Sequence, residues 1–166
     1  MDHATQHATA RSANQAAPVH HHGHSGGSPA RLATHATVHC LIGCAVGELA
    51  GLAIGVSLGW PAWPTMIMAT ILGFTSGYTL GLWPLVRDGA SWSGAFRTIW
   101  LGETISIAVM ELVMNVTDYH VGGVQAASIF APQFWTGYIA ALPAGFVAAW
   151  PVNYWLLSRE IKSRCH

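Results

Sequence analysis

Four long apolar stretches leave this chain few ways to fold. They run from Val38 to Trp60, from Trp63 to Val86, from about Thr98 to Val116 and from about Phe134 to Leu157. A helix rises about 1.5 Å per residue, so about 20 apolar residues cross a hydrocarbon core ~30 Å thick. Charged residues make up only 8% of the 166 positions, against roughly 25% in a soluble domain. So few charges cannot coat a water-soluble globule, which predicts an all-α membrane protein with four transmembrane helices. The connections fit. Trp60-Pro61-Ala62-Trp63-Pro64 combines a turn with interface tryptophans. Arg87 to Gly94 and Asp118 to Gln133 are polar and contain glycine.

Residues 1–36 differ in kind. They contain no aromatic residue and almost no large aliphatic one. Such a segment cannot bury enough apolar surface to offset its ordering entropy, so a disordered tail is expected. It lacks the apolar run of a secretory signal peptide. It is rich in histidine, with His3, His7, His20, His21, His22, His24 and His35. His20-His21-His22-Gly23-His24 is a candidate loose site for copper, nickel or zinc. The expected domains are then the tail to residue 36, a membrane domain over 37–160 and a short C-terminus over 161–166.

Orientation follows from the basic residues Arg11, Arg31, Arg87, Arg97, Arg159, Lys162 and Arg164. With four spans, all of them fall on one side, shared by both termini. The positive-inside rule predicts that both termini are cytoplasmic, in a bacterial inner membrane. Net charge is zero, and no basic stripe points to nucleic acid.

Glycine recurs at every fourth position of the first stretch, at Gly43, Gly47, Gly51, Gly55 and Gly59. Four residues turn about 400°, so these form a slowly drifting stripe that lets another helix approach closely. Gly73, Gly77 and Gly81 repeat the device in the second stretch. The stripes are expected to pack on each other or across a homo-oligomer interface. Pro143 and Pro151 predict kinks in the fourth helix.

Chemistry concentrates in His39-Cys40-x-x-Gly43-Cys44-x-x-Gly47-Glu48. Cys40, Cys44 and Glu48 recur one turn apart, about 100° round from the glycines. Two thiols at this spacing can chelate one soft ion, copper(I) or zinc, with His39 beside them. Buried cysteines also serve as small hydrophobes. The third stretch carries Glu103, Glu111, Asn115 and Asp118. Carboxylates at membrane depth cost about 2.5–3.5 kcal/mol each, so they face protein or water and mark an ion or proton path by default. Counting residues from the expected helix starts, near 37 and 97, sets Cys44, Glu48 and Glu103 in one layer. Glu111 then lies farther out, with Asp118 and His120 at the outer mouth. Met110 and Met114, like Met66 and Met68, are candidate thioether ligands, though methionine is also a common packing residue.

The His-Cys-x-x-Gly-Cys-x-x-Gly-Glu string and the late Asn153-Tyr154-Trp155 together resemble the family of small bacterial membrane proteins numbered 4396 among domains of unknown function. The resemblance spans roughly residues 35–160. It implies membership and no activity.

The expected function is binding or transport of a transition metal ion, copper(I) first, by a lipid-embedded homo-oligomer that is not an enzyme. Neither haem nor nucleotide is expected: His39 and His120 lie near opposite faces of the membrane and cannot share a haem iron. A membrane thiol-redox or assembly factor using Cys40 and Cys44 is the main alternative, weakened by a spacing poorly suited to a disulfide. A structural subunit without transport activity is the other.

Overall fold

A computed structural model describes residues 28–159. The candidate tail ligands His20, His21, His22 and His24 lie outside the described residues, as do Lys162, Arg164 and Cys165. Four helices carry the fold: α1 (Pro29–Ser57), α2 (Ala62–Arg87), α3 (Trp92–Val121) and α4 (Pro132–Ser158). All four are long and apolar enough to cross a bilayer. The chain is a multi-pass membrane protein.

The helices outrun the hydropathy boundaries. Pro29 stands at the first helical position, where a missing N–H costs nothing. The helix therefore starts well before the expected boundary near 37. Residues 29–36, assigned to the disordered tail by composition, are helical because Ala33 and Ala36 bury against Leu157 of α4, with Leu32 and Trp150 beside them. Ser91 caps α3, its hydroxyl accepting from the Gly94 N–H at 3.2 Å. At its other end α3 runs on past Val116 to Val121, taking in Asp118. Gly122, at φ +92°, ends it in the left-handed conformation that glycine adopts freely. A short turn of 3₁₀ helix follows at Gly123–Gln125. Helix α4 continues through both Pro143 and Pro151.

Each helix packs on its chain neighbours, and α4 closes the ring on α1. The contact between α1 and α2 is the most extensive, that between α3 and α4 the next, and that between α2 and α3 the slenderest of the four. Across the diagonal, α1 and α3 meet at a few points only.

The α1 glycines explain its broad seam with α2. A β-carbon at Gly43 would stand 2.9 Å from the Gly77 Cα. One at Gly47 would overlap the Leu72 carbonyl, one at Gly51 the Ala69 Cα, and one at Gly55 the Thr65 side chain. The two backbones thus run antiparallel in near contact for most of the stripe. Ser76 fastens the seam by donating to the Gly43 carbonyl at 2.7 Å. The α2 stripe behaves differently. Only Gly77 meets an α1 glycine, whereas Gly73 and Gly81 make room for side chains of α3.

Exposed apolar residues cover the outside, as a lipid-facing surface requires. Trp63, Trp135 and Tyr119 mark one end of the bundle and Trp83, Trp92 and Trp155 the other. These are the two aromatic belts of a membrane protein. Arg31, Arg87, Arg97 and Arg159 all lie at the second end, where α1 and α3 begin and α2 and α4 finish.

Candidate functional site

Three acidic residues occupy the interior of the bundle. Glu48 is 0% exposed, Glu111 1% and Asp118 1%. Glu48 projects from α1 and the other two from α3, so the acids come from diagonally opposite helices. The Glu48 carboxyl interacts electrostatically with both Glu111 and Asp118. Among the described residues, both Glu48 oxygens, both Asp118 oxygens, Glu111 Oε1 and Asn115 Oδ1 are buried without a hydrogen-bond partner. Buried polar atoms are nearly always satisfied, and each unsatisfied one costs about 1–3 kcal/mol. The six fall on Glu48, Glu111, Asn115 and Asp118 alone.

Glycine shapes the wall around Glu111 and Asp118. The Glu111 carboxyl fills the notch at Gly73, where a β-carbon would overlap it. Asp118 lies where Gly123 and Gly137 come together, and a β-carbon on either would strike its Oδ1. The Val124 amide approaches Asp118 without completing a hydrogen bond of standard geometry. Asn115 anchors the middle, donating from Nδ2 to the Glu111 carbonyl at 2.9 Å and to Thr70 Oγ1 at 3.2 Å. Its contact with Glu111 Oε2 is long, at 3.5 Å.

Sulphur adjoins the acids. Cys40 and Cys44 are both buried thiols, packed in one cluster with Met110, Met114 and Ile107. The Cys44 thiol interacts with Cys40 on one side and Glu111 on the other. The Ser106 hydroxyl donates to Cys40 Sγ at 3.8 Å. Met110 and Met114 also lie against Gly145 of α4. Met66 instead packs with the second cluster, around Leu52 and Phe134.

The expected layering needs correction. Cys40 stands level with Ser106, a sequence offset of 66, where counting from the hydropathy boundaries implied 60. The difference of six residues amounts to about 9 Å along the axis. Glu111 therefore joins Cys44 and Glu48 in the central layer. Glu103 moves to a lower level, half-buried beside Gly81. Asp118 is not at an open outer mouth but sealed inside the bundle, while His120 is exposed. His39 is half-buried, one residue round from the Cys40 face. Among the described residues, no three or more His, Cys, Asp or Glu side chains are grouped to hold a metal ion. The four-ligand set of His39, Cys40, Cys44 and Glu48 is thus not assembled in this conformation.

Sequence reasoning missed Tyr138, whose hydroxyl donates to the Ala45 carbonyl at 2.9 Å and lies within electrostatic range of Glu48. A tyrosine within an apolar span needs a partner for its hydroxyl, and that need was a usable signal. Ser106, Gly123 and Gly137 were missed as well.

The late motif has a structural task. Asn153 is buried and donates to Thr37 Oγ1 at 2.9 Å, and Thr37 donates to the Ala33 carbonyl at 2.7 Å. This chain ties α4 to α1. Tyr154 stacks on Trp150 with ring centres 5.6 Å apart, and Arg159 lies over the Trp155 ring at 5.7 Å.

No curated protein and no solved structure matches the chain. Residues 31–162 match the family profile described as a domain of unknown function, DUF4396, and this chain belongs to that family.

Proposed function

We propose that this protein passes a cation across the bilayer along the column formed by Cys40, Cys44, Glu48, Glu111, Asn115 and Asp118. The observation that carries the reading is the set of buried carboxyls Glu48 and Asp118, with no hydrogen-bond partner on either oxygen, and Glu111, with none on Oε1. A structural subunit would use such groups to fasten helices. Here the fastening falls to Asn153, Ser76 and Tyr138. Unspent acceptor oxygens in a low-dielectric interior suit a transient positive charge, and ionisable residues at this depth commonly mark an ion or proton path.

The cargo we favour is copper(I). Two thiols and two thioethers, from Cys40, Cys44, Met110 and Met114, share one buried cluster beside the acids. Thiolates and thioethers are the donors that select this ion. The cysteines would receive it and Glu48, Glu111 and Asp118 would carry it or a counter-moving proton. The basic residues gathered at one end of the bundle favour that end, and both termini, in the cytoplasm.

Purified full-length protein in liposomes loaded with a copper(I)-sensitive dye tests the reading. Uptake should exceed that of empty liposomes and fall at least about tenfold in Cys40→Ala/Cys44→Ala and in Glu111→Gln. A proton flux that survives the double cysteine change, with no copper(I) uptake by either protein, would leave the acid column and remove the metal. Neither flux in the unaltered protein would refute the column itself.

A further inference from the structure

The slender seam between α2 and α3 leaves a cleft of about 410 Å³ on the lipid-facing side of the bundle. Trp63, Ile67 and Leu112 flank it with exposed apolar surface, and Phe74 adds an aromatic wall. Its floor is of another kind. Glu111 and Asn115 line it, 1% and 5% exposed, each with an acceptor oxygen lacking a partner. Thr70 joins them there, its hydroxyl held by the Asn115 amide. Glu111 lies twelve residues into the 23-residue apolar span Ile99–Val121, near the middle of the bilayer.

We infer that this cleft binds a lipophilic amine that enters sideways from the membrane, with its alkyl part along Trp63 and Phe74 and its ammonium head at Glu111 and Asn115. The volume falls in the range of small-molecule sites, about 300–1,000 Å³. The polar floor offers oxygen acceptors and an acid, so it selects a head that donates hydrogen bonds and carries positive charge. A fatty acid or a phospholipid phosphate would set further acceptor oxygens and a negative charge against the unpartnered oxygens of Glu111 and Asn115. A neutral alcohol could donate one hydrogen bond but would leave the acid uncompensated. A primary ammonium supplies three donors and the opposite charge. The inference shares Glu111 with the proposed cation column but needs the cleft as well, and the column does not.

Two measurements on the full-length protein test it. The first is native mass spectrometry from detergent micelles with dodecylamine, dodecanol and dodecanoate as probes. Dodecylamine should be retained at least about tenfold more than dodecanoate. Retention should be lost in Glu111→Gln and in Ala108→Trp, which fills the cleft from its exposed rim. Copper(I) or proton flux should survive Ala108→Trp, which separates failure of the cleft from failure of the column. The second measurement needs no variant. Dicyclohexylcarbodiimide, a lipid-soluble reagent, takes up the proton and oxygen of a carboxylic acid and rearranges to a stable acylurea. Peptide mapping should find the adduct on Glu111, and dodecylamine should protect it where dodecanoate does not. Equal retention of amine and fatty acid, equal protection by both, or an Ala108→Trp variant that binds as well as the original would overturn the proposal. So would quantitative Ile67→Cys cross-linking between copies in the bilayer, because a second copy would then occupy the cleft.

Discussion

The carboxyl of Glu111 stands in the space that a side chain at Gly73 would fill. A glycine of α2 and an acid of α3 are therefore packed as one unit, and Gly73 cannot gain a side chain unless that carboxyl gives way. Gly73→Ala should destabilise the protein by about 1–3 kcal/mol through overpacking. In the double variant Gly73→Ala/Glu111→Ala much of that cost should disappear. Thermal unfolding of the four proteins in detergent gives the cycle, and strict additivity would show that the carboxyl simply swings aside.

Backbone contacts should be less forgiving than side-chain contacts. A β-carbon at Gly47 meets the Leu72 carbonyl of α2, whereas one at Gly59 meets nothing within 4 Å. Gly59 has φ +66°, so alanine there costs only local strain of about 1–2 kcal/mol. Gly47→Ala should force α1 and α2 apart and lower the yield of monodisperse protein on size-exclusion chromatography well below that of Gly59→Ala. Equal yields would mean that the seam is looser than its geometry.

Much of this seam was legible in the sequence. A glycine at every fourth position fixes a face of a helix, and α1 does press that face against a neighbour. The sequence also located the acids and thiols on the inward sides of α1 and α3. It misjudged their heights, because periodicity reports rotation about an axis and says nothing of position along it. Hydropathy falls at Asp118 and so suggested a loop, but Gly123 and Gly137 leave a recess in which the helix can bury that carboxyl. Nor does composition reveal that Ala33 and Ala36 find a partner in Leu157. The relation of Asp118 to Gly123 and Gly137 crosses the α3–α4 connection, where no helical periodicity runs through to encode it.

Asn153 and Thr37 supply a test of the late motif. Their hydrogen bond joins α4 to α1 in a buried setting. Interhelical hydrogen bonds in membranes couple by about 0.6 kcal/mol on average and by up to about 1.7. A double-mutant cycle with Asn153→Leu and Thr37→Val should fall in that range, measured by unfolding in mixed micelles. Zero coupling would assign the motif some task other than joining these helices.

Glu48 should show the cost of function most clearly. Both its oxygens are buried without a hydrogen-bond partner. Glu48→Leu keeps similar bulk and removes the desolvated acid, so the protein should gain about 1–3 kcal/mol. The same variant should lose cation flux in liposomes. A variant that unfolds would instead make this carboxyl a structural support.

The uneven packing of the four seams has a mechanical consequence. Helices α1 and α2 are locked backbone to backbone, and α3 and α4 share the next broadest interface. The bundle is thus two stiff levers, joined through the short turn after Arg87 and hinged on the α1–α4 seam with its Asn153–Thr37 and Tyr138–Ala45 hydrogen bonds. Glu48 belongs to one lever, and Glu111 and Asp118 to the other. Rocking one against the other would open the protein along the line of its acids while leaving each lever intact.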